Sequence, residues 1–487
     1  MMKYTKLTAV ASMVLLYGCA APSNIKPTNQ LADQTILEHS QNLNQTKLSP
    51  AVWPAEDWWV VLNDRQLENL IDLALKNSPD MQLANANLMN ASAMVMAADA
   101  QFDPSVSADA SMSRARLSRS QDYSFQGHRY GTIYNLGLSG SYSFDLWGGE
   151  RDAWEGAVNN QRAAQVDHQA ARITLSTAIV QTYVQLSNAY ALQDLAQKDL
   201  DRTNRIVDIT SRLLKHGLTS EDRLYTAQSG AAAAKQTLKK RELAVSQLKN
   251  ALATLVGQGP DLANTIHRPS AHMDTELALP RELPANLLAH RPDIVAAKWR
   301  VEASSKEIDS AKTRFYPNVN LSATAGFKAM LGDAVFGEES QAWSVQPAIS
   351  LPLFTTGLKA NLIEKTAGYD SAVAQYNKTL VNALGEVSDN ILAMQSMEKQ
   401  LDDAHQSMNL ADKSYHITEK RYEAGMGSQL EVLMAEQQLI QAESSFTLLK
   451  NQQQEQQVML VRSLGGGFYQ APEQQQASAT QSEPASN

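Results

Sequence analysis

Residues 134–146 read Tyr134-Asn135-Leu136-Gly137-Leu138-Ser139-Gly140-Ser141-Tyr142-Ser143-Phe144-Asp145-Leu146. Even positions carry Tyr, Leu, Leu, Gly, Tyr, Phe and Leu, and odd positions carry Asn, Gly, Ser, Ser, Ser and Asp. Strict alternation with period two predicts a β-strand with one apolar face and one small, polar face. The pattern recurs in Val106, Ala108, Ala110 and Met112 against Ser105, Ser107, Asp109 and Ser111. It recurs again in Val319, Leu321, Ala323, Ala325 and Phe327 against Asn318, Asn320, Ser322, Thr324 and Gly326. Trp343, Val345, Ile349, Leu351 and Leu353 continue it, with Pro347 as an expected interruption. Two pairs of strands follow, joined by polar loops near 118–129 and 332–341. A wall with lipid on one side and water on the other needs this pattern. Four strands cannot close a barrel, because the smallest such barrels have about eight. Closure therefore calls for several chains, and a three-fold ring would supply twelve strands.

The two strand pairs belong to a duplication. Asn77-Ser78-Pro79-Asp80-Met81 returns as His290-Arg291-Pro292-Asp293-Ile294, an offset of 213. Phe102, Pro104 and Val106 match Phe315, Pro317 and Val319 at the same offset. Ser143, Leu146 and Trp147 match Ser350, Leu353 and Phe354, and Gly217, Ser220 and Gly257 match Gly425, Ser428 and Gly465. The plan is a segment 19–60, a first repeat 61–270, a second repeat 271–469 and a Gln/Ser/Ala-rich tail 470–487 that reads as disordered.

Long helices follow each strand pair. No proline occurs between 105 and 259 or between 353 and 471, and no glycine between Gly156 and Gly217. Ile179, Tyr183, Leu186 and Tyr190, then Ile206, Ile209 and Leu213, fall at helical spacings of three and four. Sixty uninterrupted residues would give about 90 Å of helix, several times the usual globular length. Leu358 to Ala424 gives a second such stretch. Gly257-Gln258-Gly259 before Pro260 and Gly465-Gly466-Gly467 read as helix stops, and the Gln-rich run 452–457 as a polar helix face.

Residues 1–18 look like a signal peptide. Lys3 and Lys6 precede an apolar run from Leu7 to Leu16, too short to anchor stably in a bilayer. Gly18 then precedes Cys19, the single cysteine of the 487-residue chain, which no internal disulfide can use. Removing the two lysines takes the formal charge from −9 to −11. An acidic chain without a basic run disfavours nucleic acid as a partner. No stretch after the signal approaches the roughly 20 apolar residues of a transmembrane helix, so only strands could span a membrane. Nine histidines are scattered; His267 and His272 lack a zinc-binding helical pattern. No acid–base, nucleophile, metal, cofactor or phosphate-loop constellation emerges, which excludes an enzyme reading.

Three groups of residues carry a family resemblance. The first is Leu283-Pro284 through Arg291-Pro292-Asp293-Ile294-Val295-Ala296-Ala297 with Phe315-Tyr316-Pro317. The others are Phe144-Asp145-Leu146-Trp147-Gly148 and Arg421-Tyr422-Glu423-Ala424-Gly425 with Ser428 and 430–433. In this order, duplicated, over most of 55–468, the chain resembles the TolC-like outer-membrane efflux proteins. Within them it is similar to the lipidated, NodT-type subgroup that serves resistance-nodulation-division pumps. Gly18-Cys19 resembles a lipobox, which implies diacylglyceryl and acyl (palmitate) attachment at Cys19; Ala20 after it implies sorting to the outer membrane. The resemblance implies an α+β membrane protein. Three chains would form a 12-stranded β-barrel continued by a long α-helical barrel in the periplasm, closed at its far end. It implies a homotrimer seated in outer-membrane lipid. Its partners would be a periplasmic adaptor protein and an inner-membrane transporter of the resistance-nodulation-division class, with drugs and amphiphiles passing through the bore. A protein-secretion or metal-ion channel of the same fold is the alternative, and a lipid-anchored periplasmic coiled coil a more distant one.

The same resemblance places adaptor contacts at the two turns between paired helices, Gly217-Leu218-Thr219-Ser220 and Gly425-Met426-Gly427-Ser428. Glycine ends one helix there and serine can cap the next. It places the periplasmic gate at Glu221, Asp222 and Arg223 and at Tyr422, Glu431 and Glu436. A ring of subunits turns one carboxylate into a ring of carboxylates, which attracts cations and can hold a pore shut. Tyr422 and Glu431 match the family's tyrosine and one acidic position, whereas Met434 and Gly427 replace another acidic and a basic one.

Overall fold

The computed structural model describes residues 24–32, 53–116, 130–270, 290–330 and 334–468. The signal segment, Cys19, the loop 118–129 and the tail 470–487 lie outside the described residues. In chain order the elements are α1 (Arg65–Asn77), α2 (Pro79–Asp99), β1 (Ser105–Arg116), β2 (Tyr130–Phe144), α3 (Gly149–Lys215) and α4 (Glu221–Leu255). Then come α5 (Pro292–Thr313), β3 (Asn318–Met330), β4 (Gln341–Ser350), α6 (Thr356–Glu423) and α7 (Gln429–Ser463). The two halves answer each other closely: α3 and α6 have 67 and 68 residues, and α4 and α7 have 35 each. None of the described helices is long and apolar enough to cross a membrane.

The strands form one antiparallel sheet in the order β1-β2-β3-β4. Its register sorts the side chains as the alternation predicts. Ala108 pairs with Leu138, Leu138 with Ala325, and Ala325 with Trp343, all of apolar-face parity. Ser107 pairs with Ser139, Ser139 with Thr324, and Thr324 with Ser344, all of the opposite parity. Two expectations need correction. β4 runs unbroken through Pro347, which sits opposite Leu321; an edge strand tolerates proline because half of its N–H groups have no partner within the sheet. β2 stops at Phe144, not Leu146. The Leu146 N–H turns back onto the Phe144 carbonyl (2.9 Å), and the Asp145 carboxylate accepts from the Arg151 N–H (2.9 Å) at the start of α3. Helix capping outcompetes strand extension there.

Contacts divide the described chain into two compact units, each drawing on both sequence halves. The first comprises 24–31, Leu88–Ala164 and Ala297–Asn377, and holds the sheet. Ile308, Ala311, Phe315 and Leu362 are its core, with Ile25 packed against them. A polar clasp fixes the N-terminal segment here: Asp370 accepts from the backbone N–H groups of Thr28 and Asn29 (2.9 Å each) and from the Thr28 hydroxyl (2.8 Å).

The second unit contains the main apolar core, around Trp58, Leu67, Ile71, Ile179, Tyr183, Leu186 and Leu252. Ile179, Tyr183 and Leu186 are fully buried, as their spacing predicts. Tyr183 brings a hydroxyl into that core, where it must find a partner. It donates to Asp64 (2.8 Å), which also caps α1 and accepts from the Ser270 N–H and hydroxyl. Burial works against the Asp64 charge, but these hydrogen bonds outweigh it and hold the carboxyl below its usual range.

The duplicated glycines occupy equivalent places. Gly257 has φ +77° and packs on the backbone of Asn77 and Ser78; Gly465 has φ +98° and packs on that of His290 and Arg291. Each helix stop thus seats against the residues leading into its own repeat's Pro-Asp sequence. Arg291 adds a clamp that repeat 1 lacks. Its guanidinium, buried, forks onto Asp293 (3.1 and 2.7 Å) and donates to Glu386 on α6 (2.9 Å) and the Ser463 carbonyl at the end of α7 (2.8 Å). The Gln-rich run lies in α7, but only Gln452 of it is exposed; 453–457 are half-buried and Asn451 just before them is buried.

Candidate functional site

The polar face of the sheet is a continuous hydroxyl and carboxamide surface. Ser107 and Ser139 share a hydrogen bond (2.7 Å), and Ser139 donates to Asp109 (3.0 Å). Thr324 and Ser344 share another (2.8 Å), and Asn318 donates to Ser143 (3.2 Å). Small side chains that bond sideways leave room for water. The opposite face exposes Val106, Met112, Leu138, Trp343, Val345 and Ile349. Such a face is costly in water and suited to lipid. Among the described residues β1 and β4 are each unpaired on their outer side. Hydrocarbon does not tolerate open sheet edges, so the edges must meet those of other copies.

The two turns between paired helices share one backbone geometry. After α3, Gly217 (φ +66°) donates to the Leu214 carbonyl and Leu218 to that of Leu213, both at 2.9 Å. After α6, Gly425 (φ +71°) donates to the Tyr422 carbonyl (2.9 Å) and Met426 to that of Arg421 (2.8 Å). This 6→1, 5→2 pattern satisfies the last carbonyls and requires a positive φ at the glycine. It throws the next side chain outward: Leu218 is 72% and Met426 67% exposed. Thr219 is half-buried, as is Gly427, and Ser220 is exposed.

The serines differ. Ser428 caps α7, accepting from the Glu431 N–H (3.2 Å). Ser220 makes no such cap. Its hydroxyl bonds the Asp222 carboxylate instead, which holds that exposed carboxyl below its usual range.

The gate positions fall into three groups. Glu221, Asp222 and Arg223 are exposed on the first turn of α4. Tyr422 and Glu431 flank the second turn, with the Glu431 carboxylate lying 3.2 Å from where a Cβ on Gly427 would sit. Glu436 stands apart: Arg205 on α3 holds both its oxygens at 2.5 and 2.7 Å. Among the described residues no hydrogen bond or ion pair joins the first turn to the second within one chain.

Glu436 belongs to a ladder that sequence reasoning missed. Lys198 meets Glu443 (3.2 Å) and Arg205 meets Glu436, seven residues apart on each helix. Between them buried Arg202 donates to the Leu433 carbonyl (3.4 Å) and to Asp199 (2.7 Å). The signal was basic and acidic pairs at matching heptad spacing, readable only once α3 and α7 are known to run antiparallel.

A two-faced sheet with open edges, continued by helices none of which, among the described residues, is long and apolar enough to cross a membrane, fits a multi-chain membrane channel. The outer membrane efflux protein profile matches residues 70–258 and 283–466, and the chain belongs to that family. The fusaric acid resistance protein FusA of Burkholderia cepacia is 32% identical over 371 residues, 74% of this chain and 69% of that protein. The multidrug resistance outer membrane protein MdtP of Shigella flexneri is 27% identical over 454 residues, 91% and 92% of the two chains. Among solved structures, the outer membrane protein VceC of Vibrio cholerae is 34% identical with a TM-score of 0.78, covering 85% of this chain and 100% of that one. The Campylobacter jejuni CmeC outer membrane channel is 25% identical with a TM-score of 0.81, covering 96% and 98%. The fold is thus the TolC-like one, in which three chains supply twelve strands, and the protein is an outer-membrane efflux channel rather than an enzyme.

Proposed function

We propose that three copies form the exit duct of a tripartite pump that exports drugs and other amphiphilic compounds. The helical turns would dock a periplasmic adaptor protein, which couples the duct to an inner-membrane transporter of the resistance-nodulation-division class. The observation that carries this is the sheet with one lipid-compatible and one water-compatible face in a chain of this family. The relatives' names favour drug export over protein secretion or metal efflux: one is a multidrug and one a fusaric acid resistance protein. The chain has no phosphate loop, so the transporter would supply the energy.

Leu218 and Met426, exposed at equivalent places in the two turns, are apolar knobs suited to an adaptor's helical tip. Leu218→Asp with Met426→Asp is expected to leave a heat-modifiable oligomer that still conducts, while drug resistance falls to that of a deletion strain. Full resistance from that variant would refute adaptor docking at these turns.

The gate reading assigns Glu221, Asp222, Arg223, Tyr422, Glu431 and Glu436 to contacts between subunits; within one chain Glu436 already pairs with Arg205, which ties α3 to α7. A cap already accounts for part of the position of Glu431. Glu431→Ala with Tyr422→Phe is expected to raise single-channel conductance in planar bilayers; conductance identical to that of the unaltered channel would sink the assignment.

The domain plan is a cleaved signal 1–18, a lipid-bearing segment 19–60, repeats 61–270 and 271–469 and a tail 470–487. Labelled palmitate should be incorporated by the unaltered protein and not by Cys19→Ala, whose barrel should still assemble. Equal labelling of both would remove Cys19 as the attachment site.

A further inference from the structure

We propose that Arg114 and Arg116 form a binding site for the phosphate groups of an outer-leaflet lipid. The two arginines end β1 with the parity of Val106, Ala108, Ala110 and Met112, so they project from the lipid side of the sheet and not into the bore. Both are exposed. The strands run into helices at their other end, through Phe144 and Ser350, which makes the arginine end the outward-facing one.

Height along the sheet decides the environment. The apolar face extends from Phe144 to Tyr134 on β2, ten residue steps. At ~3.4 Å per residue and a strand tilt of ~40° this is a vertical span of about 26 Å. The apolar band of an outer-membrane barrel is about 25 Å tall, so this face already fills it. Tyr134, opposite Met112, and Phe327, whose ring meets Phe336 at 5.5 Å, supply aromatic side chains at its outer margin. Arg114 lies two residue pairs beyond Met112 and Arg116 four, so they rise roughly 5 and 10 Å past the hydrocarbon.

A charge on the lipid side at mid-membrane costs about 2–4 kcal/mol, whereas at the interface the cost falls to about 0–1. Two arginines here therefore sit where the headgroups begin. Their guanidinium forks match phosphate oxygens, and their spacing of about 7 Å along the strand lets both reach one headgroup. Lys328, level with Ser111 just below the arginines, has the opposite parity, faces the bore and has no part in the site.

The test uses the full-length oligomer purified in detergent, titrated with bis-phosphorylated lipid A and read by native mass spectrometry as lipid adducts. Bis-phosphorylated lipid is expected to bind about tenfold more tightly than the dephosphorylated form, the margin of a charge-assisted pair. R114Q/R116Q should erase that difference, and K328Q should leave it unchanged. Should the double variant not assemble, R116Q alone should reduce the preference about threefold. Superimposable titrations for the assembled arginine variant and the unaltered protein would overturn the site. Displacement of the lipid by millimolar inorganic phosphate would also overturn it, since it would reveal an anion site indifferent to lipid.

Discussion

Gly465→Ala is expected to abolish recovery of the assembled channel. Two costs fall on one methyl group. Gly465 holds φ +98° at the end of α7, a conformation that costs an L-residue about 1–2 kcal/mol. The new Cβ would also overlap the His290 carbonyl oxygen and crowd the Arg291 backbone nitrogen. Backbone atoms cannot rotate away as a side chain would, so α7 must leave its seat on the start of repeat 2. The total should exceed about 4 kcal/mol, in the range reserved for the most damaging substitutions. Gly425→Ala is the control. Its φ of +71° imposes a similar backbone cost, but no atom lies within 4 Å of its Cβ position. That variant should lose only about 1 kcal/mol and assemble. The measurement is the amount and melting temperature of heat-modifiable oligomer extracted from outer membranes. Equal yields for the two variants would show that Gly465 serves only as a helix stop.

Arg291→Met is expected to cost about 3 kcal/mol, the lower end for breaking a buried pair, because Glu386 is still a third exposed. The methionine fills the space but leaves Asp293 and Glu386 without their cation and the Ser463 carbonyl without a donor. That carbonyl is among the last four of α7, which have no partner within the helix. Arg291→Lys tests what the clamp requires. A lysine ammonium keeps the charge but cannot fork onto Asp293 while reaching Glu386 and Ser463 together. Lysine should therefore restore less than half of the lost melting temperature. A lysine variant as stable as the unaltered protein would show that charge alone matters here.

Much of the architecture was legible because membranes and long helices constrain sequence locally. Alternation along 134–144 set the two faces of β2, and the observed register keeps each residue on the face so assigned. Proline-free stretches announced α3 and α6 to within a few residues at the turn end. The glycines at 217, 257, 425 and 465 marked helix stops that all have positive φ. Local rules failed where two local preferences competed. Asp145 was read as a strand residue, yet its carboxylate caps α3. Ser220 was read as a cap, yet it bonds Asp222.

The sequence by itself determined the family, the duplication, the strand faces and the turns, because each is carried by short motifs whose residues lie near one another in the chain. Only the tertiary structure decided which distant side chains meet. It paired Glu436 with Arg205, 231 residues away. It made Arg291 a clamp on α6 and α7 rather than one letter of a motif. It also set the height of Arg114 and Arg116 above the apolar band, since height depends on how four strands register. Charge pairs of this kind become legible only when the partner helix is known: a favourable contact needs only opposite charge and reach, and the fold alone decides which of many such partners comes within it.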